Sequence, residues 1–247
     1  MNRYHSLCHD FYVNMSLGTV MDLPNNRETV LHFFERVRKT YPSMRNFYSR
    51  DQGDFVLEED KDQGNSRWCT IEPRRICSVQ VNPESDDSAI QQHKLVLDLV
   101  PYTLSVSPLD CESLELLFGF DFTYRGNHNQ LVAEALGVVP AMERLVELPG
   151  ATVIGHEPML TIALDEDARL QFRLSVETRT TPQQIRTGNF PEEQLSVYVT
   201  ARQHGGLEAE ATFGETLDRL AKICREMVDN HVVEHVLNPL ARTIALK

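Results

Sequence analysis

Every second residue from Leu114 to Tyr124 is large and apolar: Leu114, Leu116, Phe118, Phe120, Phe122 and Tyr124. A period of two is that of a β-strand with one face buried, so this run predicts a long strand that needs a cover on one side. Phe11, Val13, Met15 and Leu17 repeat the pattern on a shorter scale, and so do Leu170, Phe172, Leu174 and Val176, whose intervening residues include Arg169, Gln171, Arg173 and Glu177. One face of the resulting sheet is expected to meet water or a partner.

Helical spacing separates these strands. Val30, Phe33, Phe34, Val37 and Tyr41 predict a first amphipathic helix ended by Pro42. Ile90, Leu97 and Val100 predict a second, opened by Glu84, Asp86 and Asp87 and running toward Pro101. A third is expected over Leu131, Ala135, Val138, Val139, Met142 and Leu145, capped by Asn127-His128-Asn129 and kinked or broken at Pro140. A long helix from about Gly214 closes the chain. Extended stretches are expected at Asp54 to Glu58, at Arg67 to Val81 with an interruption at Pro73, at Ala151 to Leu164, at Ala168 to Thr178, and through Leu195, Val197, Val199 and Ala201. The polar tract from Asp60 to Asn65 reads as a hairpin loop, and Thr180 to Pro191 as a polar loop.

The predicted class is therefore α+β, with two similar halves: β-α-β-β-α over residues 1-106 and β-α-β-β-β-α over residues 107-247. No Pro/Gly/Ser-rich linker divides them, so tight association is expected. Two antiparallel sheets, or one continuous sheet, with helices packed on one side would satisfy the pattern. No residue-by-residue repeat links the halves; only the order of elements does.

Composition narrows function by exclusion. Thirty-six acidic against 24 basic residues give a formal charge of −12, a field that repels nucleic-acid phosphate and anionic lipid. Met1 to Asp10 has no apolar signal-like core and no later stretch has the apolar length to span a bilayer, so a cytoplasmic location is expected. The five cysteines (Cys8, Cys69, Cys77, Cys111, Cys224) are scattered and lack C-x-x-C spacing, which suits reduced, mostly buried thiols. Phosphate-binding glycine loops and the G-x-S-x-G nucleophile elbow are missing, and the acidic run Glu58 to Asp62 lacks the glycine of a calcium loop. In order of elements, length and long closing helix, the chain resembles a sporadically distributed bacterial family of uncharacterised proteins; the resemblance is architectural, and implies no activity and no site residues.

Three groups of residues carry candidate chemistry. His231-Val232-Val233-Glu234-His235 is an H-x-x-E-H string in the closing helix. At 100° per residue the stripe Phe213, Leu217, Leu220, Cys224, Met227 runs on into His231 and His235, so both imidazoles are expected to point inward, either to line the core or a cavity as hydrogen-bonded side chains or, being close enough, to share a divalent metal such as zinc. The string is similar to that of the inverted zinc peptidases, a resemblance that implies His231 and His235 as ligands and Glu234 as general base. No Asp or Glu follows His235, so a third ligand would come from His156, Glu157, His93 or Cys224. His5, Cys8 and His9 form a second potential metal clip. Third, Arg169, Arg173, Arg179, Arg202 and Arg125 fall on outward positions, where guanidinium groups bind a carboxylate, a phosphate or an acidic surface, or pair with Glu177, Asp121 and Glu193.

Two functions compete on this reading. One is a non-enzymatic binding or assembly protein that takes a protein partner or small ligand on its sheet face or in a helix-sheet cavity; exposed strand edges would suit a homodimer, and edge protection by charge would equally suit a monomer. The other is a metal-dependent enzyme, such as a hydrolase, built on His231, Glu234 and His235.

Overall fold

A computed structural model describes residues 4–50, 53–60, 64–207 and 211–247. The tip of the expected Asp60–Asn65 loop, 61–63, lies outside the described residues. Nine antiparallel strands form one sheet in the order β2-β3-β4-β5-β1-β6-β9-β8-β7. They are β1 (Asp10–Thr19), β2 (Asn46–Ser49), β3 (Phe55–Glu58), β4 (Ser66–Glu72), β5 (Arg75–Val81), β6 (Cys111–Arg125), β7 (Met159–Ala163), β8 (Leu170–Glu177) and β9 (Glu192–His204). The alternative of two separate sheets is thereby decided: β1 and β6 pair at the centre and carry the sheet across the boundary between halves.

The alternating runs explain that centre. Phe11 faces Phe120, Val13 faces Phe118, Met15 faces Leu116 and Leu17 faces Leu114, and all eight side chains are fully buried. Tyr4 adds its ring to Phe11, Phe118 and Phe120, and its hydroxyl donates to Asp229 Oδ1 at 3.0 Å.

Helices cover the buried face. They are α1 (Arg27–Thr40), α2 (Asp86–Thr103), α3 (His128–Leu136) and α6 (Phe213–Met227), followed by a π-helical stretch (Val228–Leu237) and α7 (Asn238–Ala245); the short α4 (Glu143–Val146) and α5 (Pro182–Thr187) lie in connections. Side-chain caps start the longer ones. Asn26 accepts from Thr29 N, Ser85 from Ser88 N, Asn127 from Asn129 N and Gln130 N, and Thr212 forms a capping box with Glu215. Arg225 of α6 reaches Asp86 (2.6 Å) and Asp87 (2.5 Å) in the first turn of α2, tying the two halves together across the helical layer.

Several elements differ from the sequence reading. β2 was not expected, because four mostly exposed residues leave no periodicity to read. Pro73 turns the Arg67 to Val81 stretch into a hairpin of two strands, so the first half has five strands. α2 continues past Pro101 to Thr103, since the bond proline forfeits lies in the last turn. The third helix stops at Gly137 (φ 74°), and the residues beyond Pro140 form only a 3-10 turn and α4, exposed throughout. The expected strand from Ala151 shrinks to Met159–Ala163, and α5 sits inside the expected polar loop between a Thr181 capping box and Gly188 in the left-handed region (φ 68°).

Outward from the β1–β6 pair, the sheet repeats: β5 corresponds to β9, β4 to β8, and β3 to β7, while α2 and α6 occupy matching places after the last strand of each half. The correspondence fails at one position. β2 covers the edge of β3, and among the described residues no strand covers the edge of β7.

Candidate functional site

The closing helix does not present its H-x-x-E-H string as the phase argument requires. From Val228 to Leu237 the helix is π-helical, with i→i+5 bonding, and its buried residues are Val228, Val232, Val236 and Leu237; Val228, Val232 and Val236 continue to Leu240 of α7 at intervals of four. Each wider turn rotates the stripe further from the α-helical phase. His231, Glu234 and His235 are consequently exposed rather than inward-facing. In an α-helix the Pro239 ring would crowd the His235 carbonyl, and a wide turn just before a proline is one way a helix accommodates it. The helix therefore runs on through Pro239.

The expected third ligands are engaged elsewhere. His156 Nε2 meets Gly137 O at 3.1 Å, Glu157 Oε1 accepts from Thr178 N and Oγ1, and Cys224 Sγ donates to Leu116 O in the core, where burial pushes the thiol up to about 12. His93 Nδ1 lies 2.9 Å from Ser78 Oγ, and burial, partly opposed by a hydrogen bond with the Val13 backbone, holds its imidazole down to about 3. Near the N-terminus, His9 Nδ1 accepts from Thr123 N, and Cys8 is pushed up to about 12 by burial, reinforced by Asp121 and Asp10. Among the described residues no three His, Cys, Asp or Glu side chains are grouped to hold a metal ion.

The arginine row also separates. Arg169 donates to the carbonyls of His204 (3.1 Å) and Gly206 (2.5 Å), fastening the end of β9, and Arg125 donates to Phe190 O. Arg179 pairs with Glu177, one of the expected partners, whereas Arg202 pairs with Glu115, its neighbour across the β6–β9 ladder. Arg173 and Arg202 do come together, around a small cavity of about 90 Å³ with Thr161, Gln171 and Thr200. Arg173 Nε and Thr200 Oγ1 have no hydrogen-bond partner there. Glu115 already neutralises Arg202, and among the described residues no ion pair is formed by Arg173.

A second feature, which is apolar, involves the same two strands, β7 and β8. Pro158 O accepts from Val176 N (3.0 Å) and Leu164 N donates to Leu170 O (2.8 Å), which fixes the phase of the β7–β8 ladder. By antiparallel alternation, Leu160 and Ile162 turn their backbone groups toward β8, and Met159, Thr161 and Ala163 turn theirs outward at the free edge. Leu160 and Ile162 sit beside Leu174 and Phe172 on the core face, yet they are 62% and 38% exposed. An apolar groove of about 370 Å³ adjoins them, walled by Leu136, Val138, Leu174, Val176 and Val236, with His156 and His235 at its margin.

The connection from α3 to β7 extends this surface. Of the fifteen large apolar side chains exposed among the described residues, nine lie between Val139 and Ile162. No charged residue occurs from Pro158 to Leu164. Sequence reasoning missed this region because it assigned Val138 to Leu145 to a buried helical face and Ala151 onward to a paired strand. The signal available was negative: a short apolar strand without the lysine, proline or bulge that usually protects an edge.

No protein-family profile and no curated protein matches this chain. Among the described residues no helix is long and apolar enough to cross a membrane.

Proposed function

We propose that this chain is a non-enzymatic binding and assembly protein that docks a polypeptide by strand addition at β7. The open β7 edge carries this reading. Its outward N–H and C=O groups from Met159 to Ala163 form a ready template, and Leu160, Ile162 and the adjoining groove supply apolar contacts for alternate side chains of an added strand. An exposed apolar area concentrated in one tenth of the chain is the usual mark of a protein-protein surface.

Thr161→Pro tests the reading with little damage to the fold, since the Thr161 N–H points away from β8. Dilute protein presented to a library of extended peptides is expected to enrich alternating apolar sequences, and binding should disappear in the proline variant. Enrichment of nothing that distinguishes the two proteins would defeat the proposal.

A further inference from the structure

We infer that the polypeptide seated on β7 is a second copy of this chain, joined about a two-fold axis through Thr161; this rests on the docking reading above and names its partner. Antiparallel pairing of β7 with its own copy has few allowed registers, because only Met159, Thr161 and Ala163 present backbone groups at the edge. Centring the axis on Thr161 matches Thr161 with Thr161 and Met159 with Ala163, so every free N–H and C=O of the strand finds a partner. Shifting the axis by one residue leaves an end of each strand unpaired. The same register places Leu160 of one copy opposite Ile162 of the other on the core face, merging two exposed apolar pairs into one cluster.

The amount of surface agrees with a dimer. Burying an aliphatic side chain removes roughly 60–120 Å² of apolar area, so the nine half-exposed side chains between Val139 and Ile162 amount to roughly 400 Å² per copy. A standard interface buries about 800 Å² per partner, a little over half of it apolar. An added β7 strand covers only Met159, Leu160 and Ile162 directly. The rest of the apolar surface belongs to the α3–β7 connection, whose α4 residues are all exposed and which in the dimer lies against the neighbouring copy. The first half provides an internal template, for β2 occupies beside β3 the place that the partner's β7 takes beside β7.

Charge sets the salt dependence. Each copy carries −12, so two copies repel at long range although the contacting strands are uncharged. Self-association should strengthen as salt rises, the reverse of what a basic partner would show.

Sedimentation equilibrium of the full chain over a wide concentration range, at low and moderate salt, is the test. Expected are a dimer favoured by salt and at least a tenfold weaker association for Thr161→Pro, about one ladder interaction lost on each copy. Thr161→Cys should in addition form a disulfide between copies under mild oxidation, absent from the wild type, because directly opposed residues in such a pair lie about 5.5 Å apart at Cα. That second variant decides the matter if the proline variant does not fold. Wild-type protein that stays monomeric overturns the second copy; if it still selects peptides dependent on Thr161, the docking reading survives alone, and if it selects none, both fall. A dimer that Thr161→Pro leaves intact and Thr161→Cys does not cross-link places the axis elsewhere and also overturns the inference.

Discussion

In the first half, β3 lies between β2 and β4, and Val56 is fully buried with its backbone bonded toward β2; in the second half the corresponding strand, β7, has β8 on one side and, among the described residues, no strand on the other. The chain between α1 and β3 is short and supplies β2 on its way. The longer chain between α3 and β7 supplies no strand and instead exposes α4 and its apolar neighbours. Two connections at matching places in one architecture thus close one edge and leave the other available. The helical layers differ as well. Where β9 and α6 bury the apolar Val197, Val199, Ala201, Leu220 and Cys224, β5 and α2 bury Ser78, Gln80, Gln92 and His93, with Gln92 Nε2 donating to Ser78 Oγ at 3.0 Å. Gln80 Oε1 and Gln92 Oε1 have no hydrogen-bond partner among the described residues, and the buried His93 makes that half sensitive to protonation.

The largest expected effect probes what the halves share. Phe118→Ala removes a fully buried ring from the central β6 and should lower stability by about 3–5 kcal/mol in a single urea transition. Two separated transitions would show that the halves melt independently and that the continuous sheet does not couple them.

Acid separates the halves next. The ordinary histidine value is 6.5 and His93 in the fold is held near 3. Between these values the unfolded chain binds a proton that the folded chain does not, so stability is fully present above pH 6.5 and declines as pH falls toward 3, by about 1.4 kcal/mol per unit. His93→Gln should flatten the slope of unfolding free energy against pH over that interval. An unchanged slope would assign acid sensitivity to carboxylates in place of the polar core of the first half.

Proline at matched edges is the direct contrast. Val56→Pro removes a ladder bond to β2 and buried methyl groups, an expected loss of about 2 kcal/mol or more, whereas Thr161→Pro should change the stability of the isolated monomer by under about 0.5 kcal/mol. Equal losses in thermal melts at low concentration would mean that β7 is not a free edge. The smallest effect is expected at His231→Ala, where an exposed side chain should alter stability by no more than about 0.5 kcal/mol. A larger loss would give the π-helical stretch a structural use for that imidazole.

How much was legible follows from which residues carry periodicity. β1, β6, β8, β9, α1, α2 and the start of α6 were readable because each buries one stripe at a constant period. β2 was too short and too polar to register. The third helix was over-extended because Val138, Val139, Met142 and Leu145 have helical spacing, and spacing says nothing about whether a partner surface exists to receive them. The inward orientation of His231 and His235 failed for a related reason: a projection at 100° per residue assumes one helical period, and the turn from Val228 onward has another. Of the arginines singled out, Arg173 and Arg202 share a cavity, while Arg169 is spent on backbone carbonyls.

By itself the sequence determined the α+β class, the two-fold order of elements and the identity of the central strands, since those depend on local alternation of apolar residues and on caps next to them. Only the tertiary structure decided that the halves form one sheet, that the histidine string faces outward and that β7 has, among the described residues, no strand on its outer side. These depend on which edges and faces meet across a hundred residues of chain, and an edge is open or closed according to what lies beside it, not according to the residues within it.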